Sequence, residues 1–99
     1  MRAARRYREV IAAVHELRED AFAMWQIREK VPGADRHTIR DILKILRELG
    51  LLTYREKAFA EMRWKVSRQW PRTEEGIRDV LHTYGLRQEL RRAKTILRD

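Results

Sequence analysis

The sequence predicts a mainly α-helical fold that carries one small β-hairpin and additional C-terminal helices. Three observations lead there. Apolar residues recur at helical spacing in 5–18 and, more strongly, in 35–49. Between 51 and 67 the period shortens to two, the alternation of a half-buried strand pair. From 72 onward helical spacing returns with a narrower apolar stripe. Ninety-nine residues, 43% of them hydrophobic, suffice for one core and leave no room for a second. Residues 1–99 are therefore expected as a single domain, with 5–67 as its body and 72–98 as appended helices.

In 5–18, Tyr7, Val10, Ile11, Val14 and Leu17 share one face, while Arg6, Arg8, Glu9, Glu16 and Arg18 lie elsewhere. Residues 20–22 then connect to a shorter helix over 24–31, presenting Trp25 or Met24 together with Ile27 and Val31. Pro32-Gly33 ends it, since Pro at the second and Gly at the third position suit a type II turn. Asp35 is placed to cap the next helix, its carboxylate accepting from free backbone donors of the first turn. That helix runs through Leu49, with Ile39, Ile42, Leu43, Leu46 and Leu49 in one stripe. Gly50 stands where a left-handed residue ends a helix, and Leu51-Leu52 supply apolar contact beyond it.

Leu52 and Tyr54 alternate, as do Met62, Trp64 and Val66, with Arg63 and Lys65 facing the other way. Two antiparallel strands are expected. The intervening 56–61 has no Gly, Asn or Pro and is rich in helix formers, so a helix there competes with a hairpin turn. After Trp70-Pro71, Thr73 is placed to cap a helix to about Tyr84, with Glu74 and Glu75 in its favourable first turn. Ile77, Val80, Leu81 and Tyr84 form its apolar side. Gly85 is expected to break it, and a last helix then carries Leu86, Leu90, Ala93 and Leu97.

A net charge of +8 and a pI near 10.6 favour polyanionic partners, either nucleic acid or an anionic membrane surface. No stretch approaches the roughly 20 apolar residues of a membrane span. The basic residues 1–6 are not followed by an apolar segment, so no signal peptide is read. Without cysteine there is neither a disulfide framework nor thiolate chemistry. The expectation is a cytoplasmic, nucleoid-associated protein with no membrane partner. The absence of Asn and Cys, with abundant charge of both signs, fits a thermophile, although high genomic GC also favours Arg.

Helix, tight turn, helix and hairpin in this order resemble a winged helix-turn-helix domain. The residues that carry the resemblance are Ile27-Arg28-Glu29-Lys30-Val31 of the positioning helix and Asp35-Arg36-His37-Thr38-Ile39-Arg40 at the start of the recognition helix. The run from Ile42 through Gly50 to Leu52 is similar to the leucine, glycine, strand passage of prokaryotic (bacterial or archaeal) winged-helix regulators. Met62-Arg63-Trp64-Lys65-Val66-Ser67 resembles the returning wing strand. The resemblance covers about 5–67. It implies a transcription regulator that binds double-stranded DNA sequence-specifically, with recognition helix 35–49 in the major groove and a basic wing on the backbone. The missing turn residues between 56 and 61 depart from the usual wing.

The residues argue in the same direction independently. With Ile39 central to the buried side, Arg36, Arg40, Lys44 and Arg47 lie along the exposed flank. Like charges four apart destabilise an isolated helix by roughly 0.2–0.5 kcal/mol per pair, so a polyanion that neutralises them accounts for the stripe. Arg donates two hydrogen bonds to a guanine edge in the major groove. His37 and Thr38, in the first turn, are placed for a base edge and a phosphate. Arg55, Lys57, Arg63 and Lys65 of the wing are expected near the flanking backbone, positioning without reading sequence. The competing reading is a solvated charged face, with Asp41 and Glu48 each pairing with Lys44.

Catalysis has little support. His15, His37 and His82 fall in separate elements, Glu74-Glu75 reads as helix-start electrostatics, and Ser67 has no base nearby in sequence. No enzyme activity, cofactor, metal or small-molecule ligand is expected. Trp25, Trp64 and Trp70 are read as closing the core between helices and wing. The narrow seam of Leu86, Leu90, Ala93 and Leu97 suits pairing with one partner helix, hence a homodimer, folding back on its own domain being the alternative. Two function classes compete with specific duplex binding. An exposed apolar patch would favour a protein-interaction module, and exposed aromatics beside a basic groove would favour non-specific or single-strand binding.

Overall fold

A computed structural model describes the backbone of residues 6–98 and the side chains of 6–88. Four helices and a two-stranded antiparallel hairpin follow one another as α1 (Arg6–Glu16), α2 (Met24–Lys30), α3 (Arg36–Glu48), β1 (Leu52–Tyr54), β2 (Trp64–Val66) and α4 (Glu74–Arg98). The fold is mainly α with a topology of the winged helix-turn-helix kind. α1 and α3 pack their apolar faces together, Tyr7, Val10, Ile11, Ala13 and Val14 against Ile39, Ile42, Leu43, Ile45 and Leu46. The buried side of α3 is wider than the expected stripe, because Ile45 joins it. Ile27 is the one buried residue of α2. Each such fully buried aliphatic side chain contributes about 1.5–3 kcal/mol of transfer free energy.

Local chemistry sets the ends of α3. The Thr38 backbone N–H donates to Asp35 Oδ1 at 2.8 Å, and this bond is the main cause holding the Asp35 carboxyl below its ordinary pKa. At the other end Gly50, at φ 80°, donates to the Arg47 carbonyl (2.9 Å), and Leu51 donates to that of Leu46 (3.0 Å). This pair of bonds is a Schellman ending. Gly50→Ala would put a Cβ on a left-handed residue, meeting only the movable end of Gln69. It is expected to lower stability by about 1–2 kcal/mol, read as a lower urea midpoint at unchanged slope. An unchanged midpoint would contradict the left-handed assignment.

The α2–α3 turn departs from expectation. Ala34 N–H bonds the Val31 carbonyl (3.1 Å) across Pro32-Gly33, but Gly33 does not have positive φ, so the turn is not type II. Pro32 suits the second position of a type I turn equally well. A Cβ at Gly33 would lie 2.6 Å from the Arg6 guanidinium, the movable end of a long side chain, so neither φ nor fixed packing demands glycine there.

The hairpin pairs Leu52 with Val66, Thr53 with Lys65 and Tyr54 with Trp64. The strands pair, so 56–61 is a hairpin connection and not a helix; its helix formers yield only a three-residue 3-10 turn, Phe59–Glu61. Ala60 (φ 54°) and Glu61 (φ 64°) are both left-handed, without the Gly or Asn that normally takes that conformation. A third segment also joins the sheet. Phe22 and Trp64 exchange backbone bonds of 2.7 and 3.1 Å, so the α1–α2 connection covers the free edge of β2.

Gly85 does not break the C-terminal helix. α4 is continuous from Glu74 to Arg98, capped by Thr73, whose Oγ1 accepts from the Gly76 N–H at 3.0 Å. A glycine inside a helix costs only about 1 kcal/mol relative to Ala. Here it permits close approach: a Cβ at Gly85 would lie 3.2 Å from the Tyr7 hydroxyl, and Tyr7 stacks on Tyr84 at 4.6 Å. The first part of α4 thus lies on α1, with Val80 and Tyr84 buried, while Arg87 pairs with Glu48 at the end of α3. Leu86 is exposed; Leu90, Ala93 and Leu97 lie outside the residues whose side chains are described.

Two of the three tryptophans close the core. Trp64 and Trp70 are buried, but Trp25 is 46% exposed, which corrects its expected place. The Trp70 indole N–H donates to His15 Nδ1 at 3.0 Å, so that nitrogen is unprotonated in the folded state. Burial, and next the neighbouring Arg18 charge, lower the His15 pKa. The unfolded chain therefore binds more protons as pH falls below about 6.5. The stability due to this imidazole is present above that value and is lost as pH drops through the lowered folded pKa. Thermal midpoints should fall between pH 7.5 and 5 more steeply for the wild type than for His15→Gln. Parallel slopes would show that His15 carries none of the dependence.

Candidate nucleic-acid interface

α3 supplies the floor of the candidate site. Arg36, Arg40, Lys44 and Arg47 succeed one another at turn spacing on the flank away from the buried Ile39, Leu43 and Leu46. Trp25 and Arg28 of α2 form one wall. Tyr54 and Trp64, directly opposed in the hairpin, form the other with Arg63 and Glu61. Phe22 holds this wall in place, since its bridge ties β2 to the segment leading into α2. The result is an open cleft of about 590 Å³.

Six cations line it, Arg28, Arg36, Arg40, Lys44, Arg47 and Arg63, against one carboxylate, Glu61. Among the described residues none of the six is in an ion pair. Lys44 pairs with neither Asp41 nor Glu48, so the solvated-face reading lacks its expected contacts. The Arg47 guanidinium lies over the Tyr54 ring at 5.2 Å, and Arg63 Nη1 is 3.5 Å from the Tyr54 hydroxyl, a weak contact. Tyr54 itself meets Trp64 edge-on at 4.7 Å. One tyrosine, braced by a buried tryptophan, thus orients two cations without neutralising either. Cations this close repel one another within a Debye length of about 8 Å, and a bound polyanion relieves that repulsion.

Five of the residues expected to bind DNA meet in the cleft: Arg36, Arg40, Lys44, Arg47 and Arg63. The other five do not line it. His37 is exposed on the first turn of α3, and Thr38 is half-buried with its backbone N–H taken by Asp35. Arg55 and Lys57 are exposed on the outer hairpin arm, and Lys65 is exposed on β2. Trp25, Arg28, Tyr54 and Glu61 were not among the expected site residues. For two of these a signal existed. Trp25 is two residues before Ile27, about 200° around the helix and so opposite the buried side, while Arg28 shares Trp25's flank. Met24, about 60° from Ile27, packs against the core and also lines the cleft.

Comparison with protein families, curated proteins and solved structures finds no match. The chemistry of the site therefore rests on its geometry. A cationic cleft with aromatic walls beside an amphipathic helix is capable of contacting nucleic acid. Among the described residues no group of three or more His, Asp or Glu side chains is placed to hold a metal ion, and no helix is long and apolar enough to cross a membrane.

Proposed function

We infer that this chain is a sequence-specific double-stranded DNA-binding protein, a transcription regulator of the prokaryotic winged-helix kind. α3 enters the major groove, and the hairpin acts as a wing on the adjoining backbone. The observation that supports this most is the cleft itself, with six cations, none in an ion pair among the described residues, on three elements held by one core. A solvated surface has no need to gather uncompensated charge in a concavity, whereas a sugar-phosphate strand brings about one negative charge per nucleotide to it. Arg36 and Arg40 face bases, Lys44, Arg47 and Arg63 hold phosphates, and Arg55, Lys57 and Lys65 add outer backbone contacts. Selection of bound duplexes from a random pool, followed by titration from 50 to 200 mM salt, tests this. A recovered consensus and a steep loss of affinity with salt are expected. Flat salt dependence would end the reading.

A second reading has one observation in its favour. Trp25, exposed at the cleft edge, is a stacking surface beside cations, as single-strand binders use. Tighter binding of a single strand than of its duplex would favour it. A protein-docking role has less support, since among the described residues the exposed large apolar side chains Trp25, Phe59 and Leu86 stand on three different elements.

We further propose a homodimer joined through the Leu86, Leu90, Ala93 and Leu97 seam, presenting two α3 helices to half-sites about one helical turn apart. A light-scattering mass of one chain at micromolar concentration would remove it.

A further inference from the structure

Phe59 is 94% exposed at the tip of the hairpin and touches none of the fold's core. Its neighbours on both sides are alanines, so no adjacent side chain covers it. The two residues after it are left-handed, and neither is glycine. Both are exposed, so no packed side chain of the fold imposes this backbone on the tip. Residues 55–65 carry four cations, Arg55, Lys57, Arg63 and Lys65, against two carboxylates. Of those two, Glu61 lines the cleft, whereas Phe59 does not, so the Glu61 charge lies on the cleft side of the tip.

We propose that Phe59 is a wedge that enters the minor groove and partly unstacks a base step, so that the protein bends the duplex it binds. The chemistry favours this partner. A cationic arm is drawn to the phosphates, and an apolar tip has no use for them but does displace stacked bases. The reach is compatible: the five residues from Tyr54 to Phe59 span at most about 17 Å. Successive groove faces of a duplex are about half a turn, again about 17 Å, apart. With α3 in one groove, the adjoining groove is therefore within the greatest reach of the tip. This inference rests on the duplex reading above, and its test separates the two.

The test is ligase-catalysed ring closure of a duplex of about 120 bp, shorter than the persistence length, in the presence of the full chain. Duplex affinity is measured in parallel for wild type, Phe59→Ala and Phe59→Leu. The wild type is expected to speed closure by about tenfold, Phe59→Leu to retain most of this, and Phe59→Ala to fall within about twofold of free DNA, all three binding within about threefold of each other. Phe59 is solvent-exposed, so the variants fold, and circular dichroism checks it. Normal closure by Phe59→Ala overturns the wedge while leaving the duplex reading intact. Failure of the wild type to bind duplex overturns both. Phe59-dependent sedimentation with phosphatidylserine vesicles, without any effect on closure, assigns the tip to a membrane surface and also overturns the wedge.

Discussion

Replacing Arg40 with alanine is expected to lower affinity for the selected duplex by about 1–3 kcal/mol, roughly five- to 150-fold, and to relax preference at one base position. Arg40 lies in the second turn of α3, with Arg36 one turn before and Lys44 one turn after it. It is half-buried in the cleft where its three companions on the helix are exposed, so its side chain loses less freedom on binding. No carboxylate must be released first, because among the described residues Arg40 has no ion-pair partner. Lys57→Ala provides the contrast. Lys57 is exposed on the hairpin arm outside the cleft, and its loss should weaken all sequences alike and flatten the salt slope by about one unit. Fluorescence anisotropy across a salt series distinguishes them. Equal, sequence-independent losses for both variants would mean that the cleft reads no bases.

Trp70→Ala is expected to lower folding stability by about 3–5 kcal/mol, out of a total of about 5–15 kcal/mol for a domain. Trp70 is 5% exposed, belongs to the central core cluster and donates its indole N–H to His15 on α1, 55 residues earlier. Truncation leaves a cavity between α1 and the segment entering α4, and deprives His15 Nδ1 of its donor. Trp25→Ala should change stability by less than about 0.5 kcal/mol, since half of that ring is already in water. Its effect should appear in nucleic-acid affinity. Urea unfolding of the two variants measures the difference. Similar destabilisation by both would show that Trp25 belongs to the core after all.

α3 was the most legible element. Its buried stripe, the Asp35 cap, the Gly50 ending and the basic flank are all legible in steps of a few residues along one helix, because periodicity and capping are local physics. The strands were legible through alternation. Phe22 was not, since a single bridging residue has no period to detect. Gly85 misled for a related reason. Its local signal is a helix break, but one glycine inside a helix costs little, and the Tyr7 hydroxyl of α1 packs 3.2 Å from where a Cβ would stand. Pro32-Gly33 signals a turn but not its type, because Pro at the second position suits type I and type II alike, and Gly33 does not take the positive φ that would mark type II.

Of the candidate site, the sequence by itself determined one surface: a helix with an aliphatic side and a cationic side, stopped at both ends. Only the tertiary structure decided what stands opposite the cations. Trp25 and Arg28 are brought there by the α2–α3 turn, and Tyr54, Glu61 and Arg63 by the hairpin that Phe22 ties down. A concavity is a relation between segments distant along the chain, and Glu48, which the sequence places within reach of Lys44, is engaged by Arg87 of α4. No window of consecutive residues contains that information.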